Sequence, residues 1–229
     1  MSPITANLQA VKRRIEAAEV ASGRPARSAM LVAVSKTFPA QAVRDAAAAG
    51  QLDFGENYVQ EAAEKIEELR ALGLTWHYIG PIQSNKARAI AENFDWVHTI
   101  EREKIAVRLS QSRAAGRPEL QVCIQVNVSG EASKSGVAPE EAAALAKKVA
   151  ALPRIRLRGL MSIPEPTADV QMQRRRFAQL RELRDRLNRD GFGLDTLSMG
   201  MSADLEAAIA EGATLVRVGT AIFGERTEP

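Results

Sequence analysis

The 229-residue sequence has little with which to staple a fold or hold a metal: one cysteine, Cys123, and two histidines, His77 and His98. A lone cysteine excludes an internal disulfide, and its place in the apolar run of residues 120–128 marks it as a buried free thiol. The histidines have no cysteine or carboxylate partners at metal-ligand spacing, so a zinc-type site is not indicated. Aromatic residues are only 4% of the chain, which leaves Ala, Val, Leu and Ile to fill the core. No apolar stretch approaches the roughly 18 residues that cross a bilayer. Residues 1–14 lack the apolar core and small-residue cleavage site of a secretion signal, so a reducing cytoplasm is expected. A dominant charge is missing too. The net charge is +3, from 31 basic and 28 acidic residues interleaved along the chain, a field too weak to indicate nucleic acid.

What is present is an alternation. Ile4, Leu8, Val11, Ile15 and Ala18 recur at helical spacing over residues 4–21. Short apolar strands are then predicted at 29–35, 52–55, 75–79, 96–99, 120–128, 155–163, 194–197 and 215–218. Helices are predicted at 39–49, 59–72, 84–93, 102–115, 139–151, 170–189 and 203–211, with Pro139 at a favoured first-turn position. Strict strand–helix alternation implies an α/β fold with a parallel sheet and helices outside it. About eight such units in this length predict a single (β/α)8 TIM-type barrel with an extra N-terminal helix. No Gly-, Pro- or Ser-rich linker divides the chain, so residues 1–229 read as one domain. The arginines of the 170–189 helix, among them Arg174, Arg175, Arg176 and Arg181, oppose a stripe of Phe177, Leu180, Leu183 and Leu187. They read as a solvated face.

In such barrels chemistry sits at the C-terminal ends of the strands. Lys36 directly follows Leu31-Val32-Ala33-Val34-Ser35, where burial would lower an ammonium pKa and suit the amine to imine formation; it could equally snorkel to solvent. Residues 198–202 end the seventh strand, and Ser202 is a good N-cap for the helix expected at 203. Gly219 and Thr220 follow the eighth strand, where a glycine lets backbone approach an anion and a threonine adds a hydroxyl. Loops after strands seven and eight are the recurrent phosphate site of this fold. His77 reads either as a ligand contact or as a satisfied core histidine. The loop 129–136 reads as an anion clamp through Lys134 or as a mobile segment. No spacing suggests a Ser-His-Asp set.

Several stretches carry a family resemblance over nearly the whole chain. They are Ala33-Val34-Ser35-Lys36, Phe54-Gly55-Glu56-Asn57, Trp76-His77-Tyr78-Ile79-Gly80-Pro81-Ile82-Gln83-Ser84-Asn85-Lys86, Gln125-Val126-Asn127-Val128 with Ser133-Lys134-Ser135-Gly136, Arg158-Gly159-Leu160-Met161, and residues 198–224. The sequence resembles the pyridoxal phosphate homeostasis proteins, relatives of the barrel domain of alanine racemase; Tyr78 departs mildly from the Phe or Met usual there. The resemblance implies a fold-type III barrel holding pyridoxal 5′-phosphate (PLP) as a Schiff base on Lys36. It implies that Ser202, Gly219 and Thr220 hold the phosphate, that Arg217 faces the pyridine nitrogen, and that Asn57 and Met201 line the ring with His77 nearby. A permanent cation at Arg217 would oppose protonation of the ring and weaken carbanion chemistry.

The expected function is therefore storage, buffering or delivery of PLP with little or no catalysis, by a monomer that passes the cofactor to apo PLP-dependent enzymes. Two alternatives are an amino-acid racemase and a cofactor-free Schiff-base aldolase. A racemase needs a second base. Alanine racemase takes a tyrosine from a second domain for that role, whereas the only tyrosines here, Tyr58 and Tyr78, fall inside the barrel pattern.

Overall fold

The computed structural model describes residues 2–131 and 134–225. Eight short parallel strands close on themselves: β1 (Met30–Val34), β2 (Asp53–Glu56), β3 (Thr75–Tyr78), β4 (Trp96–Ile100), β5 (Leu120–Gln125), β6 (Ile155–Met161), β7 (Thr196–Ser198) and β8 (Leu215–Val218). Closure is made by β8 pairing with β1, in register from Met30 opposite Leu215 to Ala33 opposite Val218. Outside run α2 (Ala40–Ala48), α3 (Val59–Glu68), α4 (Ala87–Asn93), α5 (Glu103–Ser112), α6 (Ala142–Ala150), α7 (Val170–Arg189) and α8 (Leu205–Ala210). Each crossover helix follows its strand, as the alternation predicts.

The first helix, α1 (Pro3–Ala21), has a structural job that the sequence does not announce. Its start is fixed by Pro3 at the first turn and by Ser2, whose hydroxyl accepts from the Thr5 amide. After β8 the described residues form the one-turn helix α9 (Thr220–Phe223), and α1 packs against α8, α9 and α2. It thus lies in the outer ring between α8 and α2. The side chain of Asn7 donates to Ile222 O at 3.1 Å, tying α1 to the far end of the barrel.

The core is a sleeve between sheet and helices. Ala33, Phe54, Val97, Val122, Leu160, Leu197 and Val216 point outward from the strands and are fully buried against residues such as Val43, Ile90, Leu109 and Phe177. Full burial of each large aliphatic or aromatic side chain contributes about 1.5–3 kcal/mol. Cys123 is buried and free, and burial pushes its thiol up to about 12, which leaves it inert.

Three helix starts differ from the sequence reading. Residues 84–86 and 139–141 form turns, so α4 and α6 begin three residues later than expected, and Pro139 precedes its helix. Before α8, residues 202–204 are also a turn, and the cap position falls on Asp204 instead of Ser202. The arginine face of α7 is less solvated than its spacing implies. Arg174 and Arg181 both clamp the buried Glu211, and Arg176 clamps Glu165, because long side chains arc around the helix to reach carboxylates beside it. Among the described residues no helix is long and apolar enough to cross a membrane.

Candidate functional site

At the C-terminal mouth of the barrel, a cleft of about 310 Å³ is lined by Val34, Lys36, Phe38, Ile79, Ile163, Met201, Ser202, Ala203, Arg217, Gly219 and Thr220. Six of the eight site residues expected from sequence therefore share one cleft: Lys36, Met201, Ser202, Arg217, Gly219 and Thr220.

Lys36 is half-buried, in a turn directly after β1. The residue after it, Thr37, has φ 69°, a left-handed conformation that is costly for a β-branched side chain. Both flanks of Lys36 are pinned. Glu61 accepts from the Thr37 amide at 2.7 Å, and Lys65 donates to Ser35 O at 2.9 Å. Lys65 Nζ also bonds Glu56 at 2.6 Å and Glu61 at 2.7 Å, while the Ser35 hydroxyl donates to Glu56 at 2.7 Å. Burial raises the Glu56 carboxyl above its usual range, and Lys65 opposes that shift. This buried ion cluster went unread in the sequence, where Lys65 looks like one more charge on an exposed helix.

Arg217 forms the deep end of the cleft, only 4% exposed. Its Nη1 donates to Ser198 Oγ at 2.6 Å and its Nη2 to Ser162 O at 3.0 Å. Among the described residues no carboxylate bonds to it; Asp204 acts on it at longer range. Burial lowers its pKa to about 10, so it stays charged at neutral pH.

The rim is built from two turns. Gly200 has φ 95°, and a Cβ there would sit 2.5 Å from Ala208 Cβ, so only glycine fits. The next turn is closed by Asp204, which accepts from the Met201 amide at 2.6 Å, and by Arg14 of α1, which donates to Ser202 O at 3.0 Å. Gly219 passes close to β1, where an added Cβ would lie 3.1 Å from Val34 O.

Asn57 and His77 do not line this cleft. Asn57 faces a neighbouring one of about 570 Å³ with Tyr78, Pro81, Gln83 and Lys86. His77 is a satisfied core histidine, fully buried, 3.0 Å from Asp53 Oδ1 and 2.9 Å from His98. The two histidines read as isolated are thus in direct contact. Strand parity is the signal that finds this pair: Trp96 lies opposite His77, so His98, two residues on, shares its face. Of the loop 129–136, residues 132 and 133 lie outside the described residues, Ser133 among them. Ser129 and Arg176 both bond Glu165, which ties this loop to the one after β6.

The alanine racemase N-terminal domain family matches residues 6–227. A pyridoxal phosphate homeostasis protein of Pseudomonas aeruginosa is 63% identical over 226 residues, covering 99% of this chain and 97% of that one. A protein of the same name from Escherichia coli is 52% identical over 229 residues, covering 99% and 98%. Among solved structures, PipY of Synechococcus elongatus with PLP bound is 38% identical with a TM-score of 0.82, covering 96% of this chain and 100% of PipY. This chain belongs to the pyridoxal phosphate homeostasis protein family, within the wider alanine racemase N-terminal domain family.

Proposed function

We propose that the cleft holds PLP and that the protein stores, buffers or delivers this cofactor in the cytoplasm, with little or no catalysis. The observation that carries the reading is the sharing of one cleft by an amine, a buried guanidinium and a two-turn polar rim. The cleft lies at the lower end of the roughly 300–1,000 Å³ usual for small-molecule sites. Ser162 Oγ, one residue before the lining residue Ile163, is buried without a partner and suits a polar ligand.

When bound, the cofactor supplies an amine-reactive aldehyde and an electron-poor ring. Lys36 would attach it through its amine. Ser202, Gly219 and Thr220 would hold the phosphate on the half-exposed rim. Arg217 would face the ring nitrogen as a fixed cation and oppose its protonation. Met201 would lie along the ring, Asn57 would approach it from the neighbouring cleft with its buried, unpartnered Oδ1, and His77 would act from below.

Two features favour a carrier over a racemase. The rim is open, with Thr220 exposed and Met201 37% exposed, which suits release. Tyr78 is committed to Pro81 O at 3.0 Å and burial pushes its hydroxyl up to about 12, a poor second base. The reading extends to a monomer that passes PLP to apo PLP-dependent enzymes.

The test is the visible spectrum after incubation with PLP, before and after borohydride, with mass mapping of the adduct. A coloured protein fixed by borohydride on the Lys36 peptide is expected, and Lys36→Ala should lose that adduct with its circular dichroism intact. A colourless protein without an adduct would overturn the reading.

A further inference from the structure

A line of hydrogen bonds crosses the barrel from its floor to the cleft. It runs from Asp53 Oδ1 on β2 to His77 Nε2 on β3 at 3.0 Å, then from His77 Nδ1 to His98 Nε2 on β4 at 2.9 Å. His98 Nδ1 meets Ser198 Oγ on β7 at 2.7 Å, and Ser198 Oγ accepts from Arg217 on β8 at 2.6 Å. Strands β4 and β7 are not neighbours, so the link from His98 to Ser198 spans the lumen itself. At the lower end the Asp53 side chain is 18% exposed and lines a floor cleft with Lys12 and Arg27. The upper end is the cation at the base of the cofactor cleft.

The ends fix the direction of every bond between them. A carboxylate only accepts, so His77 Nε2 carries a proton and donates to Asp53. A guanidinium only donates, so Ser198 Oγ accepts from Arg217 and its own proton goes to His98 Nδ1. His98 Nε2–H then donates to His77 Nδ1. Each group donates once toward the floor, and each acceptor faces the arginine. The opposite arrangement would need an imidazolium at His77 in the same dry lumen as Arg217, and would leave the Ser198 proton without an acceptor among the bonds described. Aligned bonds of this kind polarise one another in a low-dielectric interior. Trp96, stacked on His77 at 5.5 Å and 12°, holds the ring plane in which the line depends.

We propose that Asp53, His77 and His98 are positioning residues for the cofactor site: they form a one-directional donor line that fixes the pose of Arg217. The proposal rests on PLP occupying the mouth cleft, but the line itself can be read without cofactor.

The first arm uses the cofactor-free protein labelled with ¹⁵N-histidine. Only two imidazoles are present, so their nitrogen spectra are simple to assign. Both rings are expected as neutral Nε2–H tautomers at neutral pH. A His77 imidazolium, or an Nδ1–H tautomer in either ring, would overturn the line. The second arm compares PLP affinity and the absorption of bound PLP in Asp53→Ala and Asp53→Asn. The alanine variant should bind roughly tenfold more weakly with a shifted band, whereas the asparagine oxygen still accepts from His77 and should restore affinity to within about threefold. Unchanged affinity and spectrum in Asp53→Ala would overturn the positioning role. Should that variant not fold, Ser198→Ala breaks the line midway with the loss of one oxygen and should weaken binding to the same extent. Absence of PLP from the unsubstituted protein would overturn the reading of the cleft instead, and the tautomers would still decide the line.

Discussion

Two buried cations sit on opposite sides of the sheet, in different electrical company. Lys65 lies in the sleeve between barrel and helices and meets two carboxylates and a carbonyl within 2.9 Å. Arg217 lies in the lumen and meets a hydroxyl and a carbonyl. The first charge is neutralised where it stands, so it shapes the chain and has nothing left to offer a ligand. The second is held in place without a counter-charge at contact, and its attraction is directed into the cleft. Here the neutralised group belongs to the scaffold and the uncompensated one to the site.

The contrast breaks first at Lys65. Lys65→Ala strands Glu56 in a dry interior and should cost about 3–5 kcal/mol, measured by urea denaturation. Lys65→Met combined with Glu56→Gln should recover most of that loss, because neither charge is then left alone.

Arg217→Met tests the other side. It removes a buried charge with no ion-pair partner at contact, so stability should stay within about 1 kcal/mol. Affinity for PLP should fall roughly a hundredfold, the upper end for hydrogen bonds to a charged group. A large stability loss with unchanged affinity would reverse the assignment of the two cations.

Thr220→Val removes an exposed hydroxyl from the rim. Affinity should fall roughly tenfold with the unfolding midpoint unmoved, as titration and melting of the same sample would show.

The smallest effect concerns the anchor between the loops after β5 and β6. Burial alone would raise Glu165, but hydrogen bonds from Arg176 and Ser129 bring it down to about 2, from an ordinary 4.5. A depressed carboxylate adds stability above its unfolded pKa and loses it as pH falls toward the folded value. Glu165→Gln should therefore flatten the acid side of the stability profile between about pH 5 and 2, by under about 1 kcal/mol for a pair at the surface.

The parts of the molecule legible in its sequence are those set by local periodicity. The α7 stripe from Phe177 to Leu187 places that helix at residues 170–189, as found, and all eight strands fall within a few residues of their expected places. Turns were harder, since residues 139–141 and 202–204 carry helix-start chemistry yet fold as turns before the helix. Residues directly after strands share one cleft for a reason the sequence makes visible: Lys36, Gly219 and Thr220 come from strand ends, and a barrel gathers strand ends at one mouth. Contacts between side chains of different elements are not legible in this way. Glu56 meets Lys65 through the packing of α3 back onto β2, and His98 meets Ser198 only through closure; no local pattern marks either pair.

The position of α1 reaches into how the molecule is made. Two docking partners of α1, Ile222 and the turn holding Ser202, are synthesised long after it. The outer ring stays open beside α1 until α8 and α9 have emerged, because α1 packs on both. A nascent chain therefore has no complete cleft to fill. The rim of the mouth cleft is completed only after β8 has joined β1, so a ligand of that cleft would meet a closed barrel and not a growing sheet.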